Sequence, residues 1–225
     1  MKKFFLGILI GLLILGFSNS ITADPKKPKE PVDKITFIHY QDGTVKEVGK
    51  AVKNPTCYKL MGIKWQNFPI SYVIGPDVNK KAVEAATAEW DKYTSTNLFS
   101  TYTIDASANF DETPDGKNEY SLGNYPQSGV IAVTRVWYTR YGKQIVEYDV
   151  MFDTDFTWGD ATKTSTVMDW QNIATHETGH GLGLADVYQT LCFEVTMYGY
   201  SNYGETKKRT LESPDIIGLR KLYGL

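Results

Sequence analysis

Hydrophobic residues fall into blocks along this chain, and their period changes from one block to the next. Residues 4–17 form an apolar run behind Met1-Lys2-Lys3, and residues 18–23 are small or polar apart from Ile21. Residues 24–33, rich in proline and lysine, predict an extended tether. Residues 35–40 and 44–48 flank the turn signal Gln41-Asp42-Gly43 and predict a hairpin. Alternation over residues 69–74, closed by Gly75-Pro76, predicts a strand. The period then becomes helical over residues 79–93, with Val83, Ala86, Trp90 and Tyr93 on one stripe and Asp77 or Asn79 as the cap. Strand-like runs follow at residues 100–106, 119–122, 130–139 and 144–152. A second helix is expected from about Asp169 to Gly181, and Ser213-Pro214-Asp215 opens a last one with a cap and a first-turn proline. One helix, a block of strands and two later helices predict an α+β fold, a twisted mixed sheet with helices packed behind it.

The basic start, short apolar centre and small residues of the first block predict a secretory signal. Fourteen apolar positions are short for a membrane-spanning helix, so cleavage after Ser20, or as late as Ala23, is expected over an uncleaved tether. The expected organisation is a signal over residues 1–20, an N-terminal extension or short pro-segment over 21–53, and one domain over 54–225. No second apolar run suggests a membrane span, so a secreted monomer without stable membrane association is expected. From Asn54 onward there are fifteen basic and twenty-one acidic residues, and no basic stripe apart from Lys207-Lys208-Arg209, which reads as a solvated loop. That balance excludes nucleic acid as an expected partner.

The candidate chemistry lies in His176-Glu-Thr-Gly-His-Gly-Leu-Gly-Leu-Ala-Asp186. On a helix, positions i and i+4 share a face, so His176 and His180 can each offer an imidazole nitrogen to one Zn²⁺. Glu177 falls on the flank, where its carboxylate can act as general base toward a water. Gly183 permits an exit turn closed to residues with a Cβ, and that turn can bring Asp186 back as third ligand. The other histidine, His39, lies upstream in an apolar alternation and reads as a structural residue, so a third ligand after the helix has to be a carboxylate. Two histidines placed for packing alone would leave two polar rings on one face in need of partners, which disfavours a purely structural reading.

At this point the chain resembles the metzincin clan of zinc peptidases, in its matrixin-like branch. The family pattern is His-Glu-x-x-His-x-x-Gly-x-x-His followed by a methionine turn. Here Asp186 stands at the last ligand position, and Val195-Thr-Met-Tyr-Gly-Tyr200 is similar to the turn, with Met197 beneath the metal. The tail 211–225 is similar to the closing helix of matrixins. Weaker similarities are Lys64-Trp65, Asp115-Gly-Lys-Asn-Glu119 and Phe152-Asp-Thr-Asp-Phe-Thr-Trp158. The resemblance implies a metzincin-like fold and a zinc endopeptidase acting on protein or peptide substrates. It also implies that residues 129–136 form an edge strand receiving substrate as an added strand, and that Tyr198 or Tyr200 assists the oxyanion. A secreted binding module that keeps zinc without catalysis is the rival reading, and the presence of Glu177 weighs against it.

Cys57 and Cys192 are the only cysteines, and an even pair in an exported chain suggests one disulfide. The alternative implied by the family is that Cys57 caps the zinc in a latent form, although the arginine and glycine that flank the family's cysteine are missing. Asp111, Asp115, Asn118 and Glu119, or Asp153 and Asp155, offer hard oxygen ligands for Ca²⁺.

Overall fold

The structure, a computed structural model, describes residues 30–43 and 55–225. The expected signal and the second half of the expected hairpin lie outside the described residues.

In chain order the strands are β1 Val32–Gln41, β2 Lys59–Leu60, β3 Val73–Ile74, β4 Thr103–Ile104, β5 Glu119–Gly123, β6 Val130–Thr139, β7 Ile145–Asp153, β8 Trp158–Gly159, β9 Met168–Asp169, β10 Leu184–Ala185 and β11 Tyr200–Ser201. The helices are α1 Lys80–Asp91, α2 Trp170–Gly181 and α3 Ser213–Tyr223. Seven strands make one mixed sheet in the order β11-β1-β6-β7-β5-β3-β4. This is the expected α+β architecture. Strands β3, β4, β5 and β7 run parallel, and β6 runs antiparallel to β7.

The expected edge strand is not an edge. β1 pairs antiparallel along β6 from Val32 opposite Thr139 to Tyr40 opposite Val130. At its far end β1 also pairs parallel with β11, through Tyr40 and Gln41. The residues expected to form the first arm of a hairpin thus find their partners far along the chain, because the apolar, buried β6 offers a free row of backbone groups.

β6 and β7 are buried on both faces, as their near-continuous apolar runs require. On β7, Tyr148, Val150 and Phe152 alternate onto the face that joins the main core, while Glu147, Asp149 and Asp153 alternate onto the other. Helix α1 starts at Asn79, whose side chain accepts the Ala82 N–H at 3.2 Å. It buries Val83, Ala86 and Trp90 against the core, where each large apolar side chain contributes about 1.5–3 kcal/mol. The Trp90 indole donates to the Thr175 carbonyl at 2.9 Å and fixes α1 against α2.

Two local expectations change and one holds. The N-cap of α3 is Glu212, with Ser213 the first helical residue; the Glu212 N–H donates to Asp215 at 3.0 Å. Lys207-Lys208-Arg209 is not a solvated loop. Lys208 is fully buried and donates to the Tyr200 carbonyl and the Ser201 hydroxyl, both at 2.7 Å, with Glu205 as its ion-pair partner. Arg209 reaches Asp160 at 2.6 Å and ties down Asp169 at the start of α2. Cys57 and Cys192 form a disulfide with 5.2 Å between their Cα atoms, as the even count suggested. That removes Cys57 as a metal cap. By closing a loop of 135 residues in the unfolded chain the bridge contributes roughly 2–4 kcal/mol.

Candidate metal centre and active site

Helix α2 is capped by Asp169, which accepts the Asn172 N–H at 2.8 Å, and every residue from Asn172 to Gly181 is buried. Its last carbonyls, which have no partner within the helix, are taken by donors from elsewhere. The Trp65 indole donates to the Gly181 carbonyl at 2.8 Å, and the Tyr223 hydroxyl to the Leu182 carbonyl at 2.7 Å. The chain then turns at Gly183, where φ is +97° and a Cβ would stand 2.5 Å from the Ile63 carbonyl oxygen. No other residue fits that turn. β10 follows and pairs with β2, which carries Asp186 back over the helix.

His176 and His180 are each fixed through one nitrogen. His176 Nδ1 donates to the Thr196 carbonyl at 2.7 Å, and His180 Nδ1 to the Leu184 carbonyl at 2.9 Å. Since a carbonyl only accepts, Nδ1 carries the proton and Nε2 of each neutral ring presents a lone pair. Burial, and then His39 beside it, pushes the His176 imidazole down to about 4. The two Nε2 atoms lie 3.1 and 3.4 Å from Asp186 Oδ1. All three atoms are buried without a hydrogen-bond partner among the described residues. Three lone-pair atoms from two imidazoles and a carboxylate, aimed at one another with no proton between them, make a group that could hold a metal ion, and their chemistry suits Zn²⁺. The outer oxygen of Asp186 accepts the Tyr188 hydroxyl at 3.1 Å.

Met197 is fully buried against α2, where a Cβ on Gly179 would meet its sulfur at 2.4 Å. Helix α2 and the segment carrying Met197 touch because Gly179 has no side chain. Asp215 holds the turn in place, accepting the Thr196 and Met197 N–H groups at 2.9 and 3.1 Å. Asp215 thereby fixes the carbonyl that orients His176. Neither Asp215 nor Tyr188 was among the expected site residues, Asp215 being expected only to open the last helix. Asp215 had a signal in its place just after the helix-opening proline, whereas Tyr188 had none. Tyr198 packs against Tyr200 at 5.8 Å and beneath the Lys207 ammonium, and Tyr200 carries β11.

Glu177 is buried, and burial raises its pKa. The Thr134 hydroxyl of β6 donates to its Oε2 at 2.6 Å. His39 of β1 donates through Nδ1 to its Oε1 at 2.8 Å. His39 is therefore part of this site and not a core histidine remote from it. Its ring lies 4.0 Å from that of His176, and burial pushes its pKa down to about 3.

A second cluster lies away from α2. Asp111, Glu119 and Asp149 bring carboxylate oxygens within 4.8 Å of one another. Glu119 is fully buried with neither oxygen hydrogen-bonded, and Asp149 Oδ1 is likewise unpaired. Burial and the neighbouring carboxylates push Glu119 up to about 7 and Asp149 up to about 8. Of the residues expected here, Asn118 is used structurally, donating to the Ser71 carbonyl and accepting the Tyr148 N–H, both at 2.8 Å. Asp115 gives its backbone N–H to Glu147 at 3.2 Å. Asp153 accepts the N–H groups of Asp155 and Tyr125 at 2.8 and 3.1 Å, while Asp155 is exposed.

Residues 61–224 match the matrixin peptidase family model. Human matrix metalloproteinase-16 is 25% identical over 182 residues, covering 74% of this chain and 28% of that protein. Metalloendoproteinase 1 of Glycine max is 39% identical over 79 residues, covering 33% of this chain and 25% of that one. The matched stretches thus span less than a third of the length of these relatives.

Proposed function

The chain belongs to the matrixin family, and from that premise we propose that it is a secreted zinc endopeptidase. His176, His180 and Asp186 are its metal ligands and Glu177 its general base. The observation that carries this reading is the convergence of three buried, unpartnered lone-pair atoms beside a buried carboxylate. Zinc bound there supplies a Lewis acid for a peptide carbonyl and makes a water acidic enough to deprotonate near neutral pH. The protein's own part is orientation and proton transfer. The Thr196 and Leu184 carbonyls fix both imidazoles in the tautomer that leaves Nε2 bare. Glu177 takes a proton at one carboxylate oxygen and returns it to the leaving amine, and burial raises its pKa toward the working range. Thr134 holds the other oxygen, so the carboxylate keeps one orientation through both transfers.

Purified chain supplied with Zn²⁺ should hold one ion per molecule, and with residues 30–43 displaced from β6 it should cut a denatured protein, a cleavage that a chelator stops. Stoichiometric zinc with no cleavage even by variants whose residues 30–43 no longer cover β6 would sink the peptidase reading.

Calcium is proposed at Asp111, Glu119 and Asp149. Three hard oxygen donors, two of them on fully buried residues, suit a divalent ion that prefers carboxylates. Added Ca²⁺ should raise the melting temperature of the parent, and a Glu119→Gln/Asp149→Asn chain should show no such rise. A calcium-dependent shift of equal size in both chains would place the ion elsewhere.

A further inference from the structure

β1 fills the slot between β6 and β11, and its side chains close on the candidate active site. Phe37 and His39 alternate onto the same face of the strand. The Phe37 ring stacks on His180 with centroids 4.0 Å apart and planes within 10°. The His39 ring covers His176, and its Nδ1 takes one oxygen of Glu177 while Thr134 takes the other. Both imidazoles are thus covered and both oxygens of the base are engaged. A peptide added as a strand on β6 needs the same row of backbone groups that β1 occupies from Thr139 to Val130.

The strand is built to be held without being part of the core. His39 is the one residue of β1 that is fully buried, and Ile35 is partly buried against the main cluster. The other attachments lie toward the surface. Asp33 pairs with Arg140 at 2.7 Å, Lys34 with Glu112 at 2.9 Å, and Glu30 accepts the Tyr141 and Gly142 N–H groups, both at 2.6 Å. Exposed pairs of this kind contribute about 0–1 kcal/mol each. Tethering compensates, because a segment on the same chain faces its site at an effective concentration on the order of millimolar. Cys57 takes no part, since it is bonded to Cys192.

We propose that residues 30–43 are a built-in inhibitor, docked as a strand in the substrate channel, which silences the site by capturing the base Glu177 through His39 and covering both histidines. The inference rests on the peptidase reading for what is silenced, and the occupied channel can be tested apart from it.

The zinc-loaded parent is compared with Phe37→Ala/His39→Ala and with His39→Gln, whose amide can still donate to Glu177. A fluorescent synthetic peptide of residues 30–43 probes the channel, and amide exchange probes β6. The double variant should bind the peptide at least about tenfold more tightly than the parent, and its β6 amides should exchange faster. His39→Gln should stay close to the parent. Equal peptide binding by parent and double variant overturns the proposal. If the double variant does not fold, the parent decides, because β6 amides as unprotected as an open edge would also overturn it. With Co²⁺ in place of zinc, an absorption spectrum unchanged by His39→Gln supports capture of the base, and a shifted one would put His39 on the metal and overturn that part. Peptide hydrolysis should rise about tenfold or more in the double variant. A freed channel with no hydrolysis would leave the inhibitor standing and remove the peptidase reading.

Discussion

Asp186→Ala is expected to strip the chain of zinc under conditions where the parent retains it. The two imidazoles would remain fixed by the Thr196 and Leu184 carbonyls, so the loss isolates the third donor and does not disturb the first two. Losing an outer partner of a ligand costs about 10–100-fold in metal affinity, and losing a ligand itself should cost at least the upper end of that range. The Tyr188 hydroxyl would lose its acceptor as well, at a further cost in the turn after Gly183. Asp186→His should bind better than the alanine variant, since an imidazole restores a donor, though its longer reach has to fit where Oδ1 now stands 3.1 Å from His176 Nε2. Metal analysis after dialysis against a weak chelator gives the ranking. Equal retention by parent and Asp186→Ala would mean that the carboxylate is only a polar group in the turn.

How far the sequence disclosed this site depends on how local each part of it is. The helix, its two histidines and its base are written into five consecutive residues, because the helical period alone places the histidines on one face and the base on its flank. The exit turn was legible for the same reason: Gly183 sits where only a residue without Cβ fits beneath the Ile63 carbonyl. The strands that became β6 and β7 were legible because burial on both faces leaves an apolar run that polar loops cannot imitate. What stayed hidden depends on contacts between distant segments. His39 meets Glu177 across 138 residues, and nothing in an alternating stretch near the N-terminus announces which sheet edge it will join. Lys208 looked solvated in a run of three basic residues, yet Glu205, Tyr200 and Ser201 supply enough partners to bury its ammonium completely. Asp149 was absent from the expected calcium ligands for a similar reason. It belongs to a strand, and the parallel pairing of β5 with β7 puts it opposite Glu119.

Glu177→Ala should keep zinc and lose turnover by roughly 10²–10⁴-fold, the usual contribution of a positioned proton acceptor. The carboxylate is not in the ligand set, so metal content should stay at the parent's level. The variant also removes the acceptor that His39 uses, which loosens the strand across the channel. In a chain otherwise unchanged these effects oppose each other, since a freer channel is delivered to a site without its base. The comparison is therefore cleaner on the Phe37→Ala/His39→Ala background, where the channel is already open and the fall should appear in full. Glu177→Gln separates the two roles. Its amide oxygen can still accept from His39 and its amide can still pair with Thr134, but it cannot take up a proton at working pH. It should hold the strand as the parent does and be as inactive as the alanine variant. Hydrolysis by Glu177→Gln at close to the parent's rate would mean that the carboxylate orients its neighbours without moving a proton, and the base would have to be sought elsewhere in the channel.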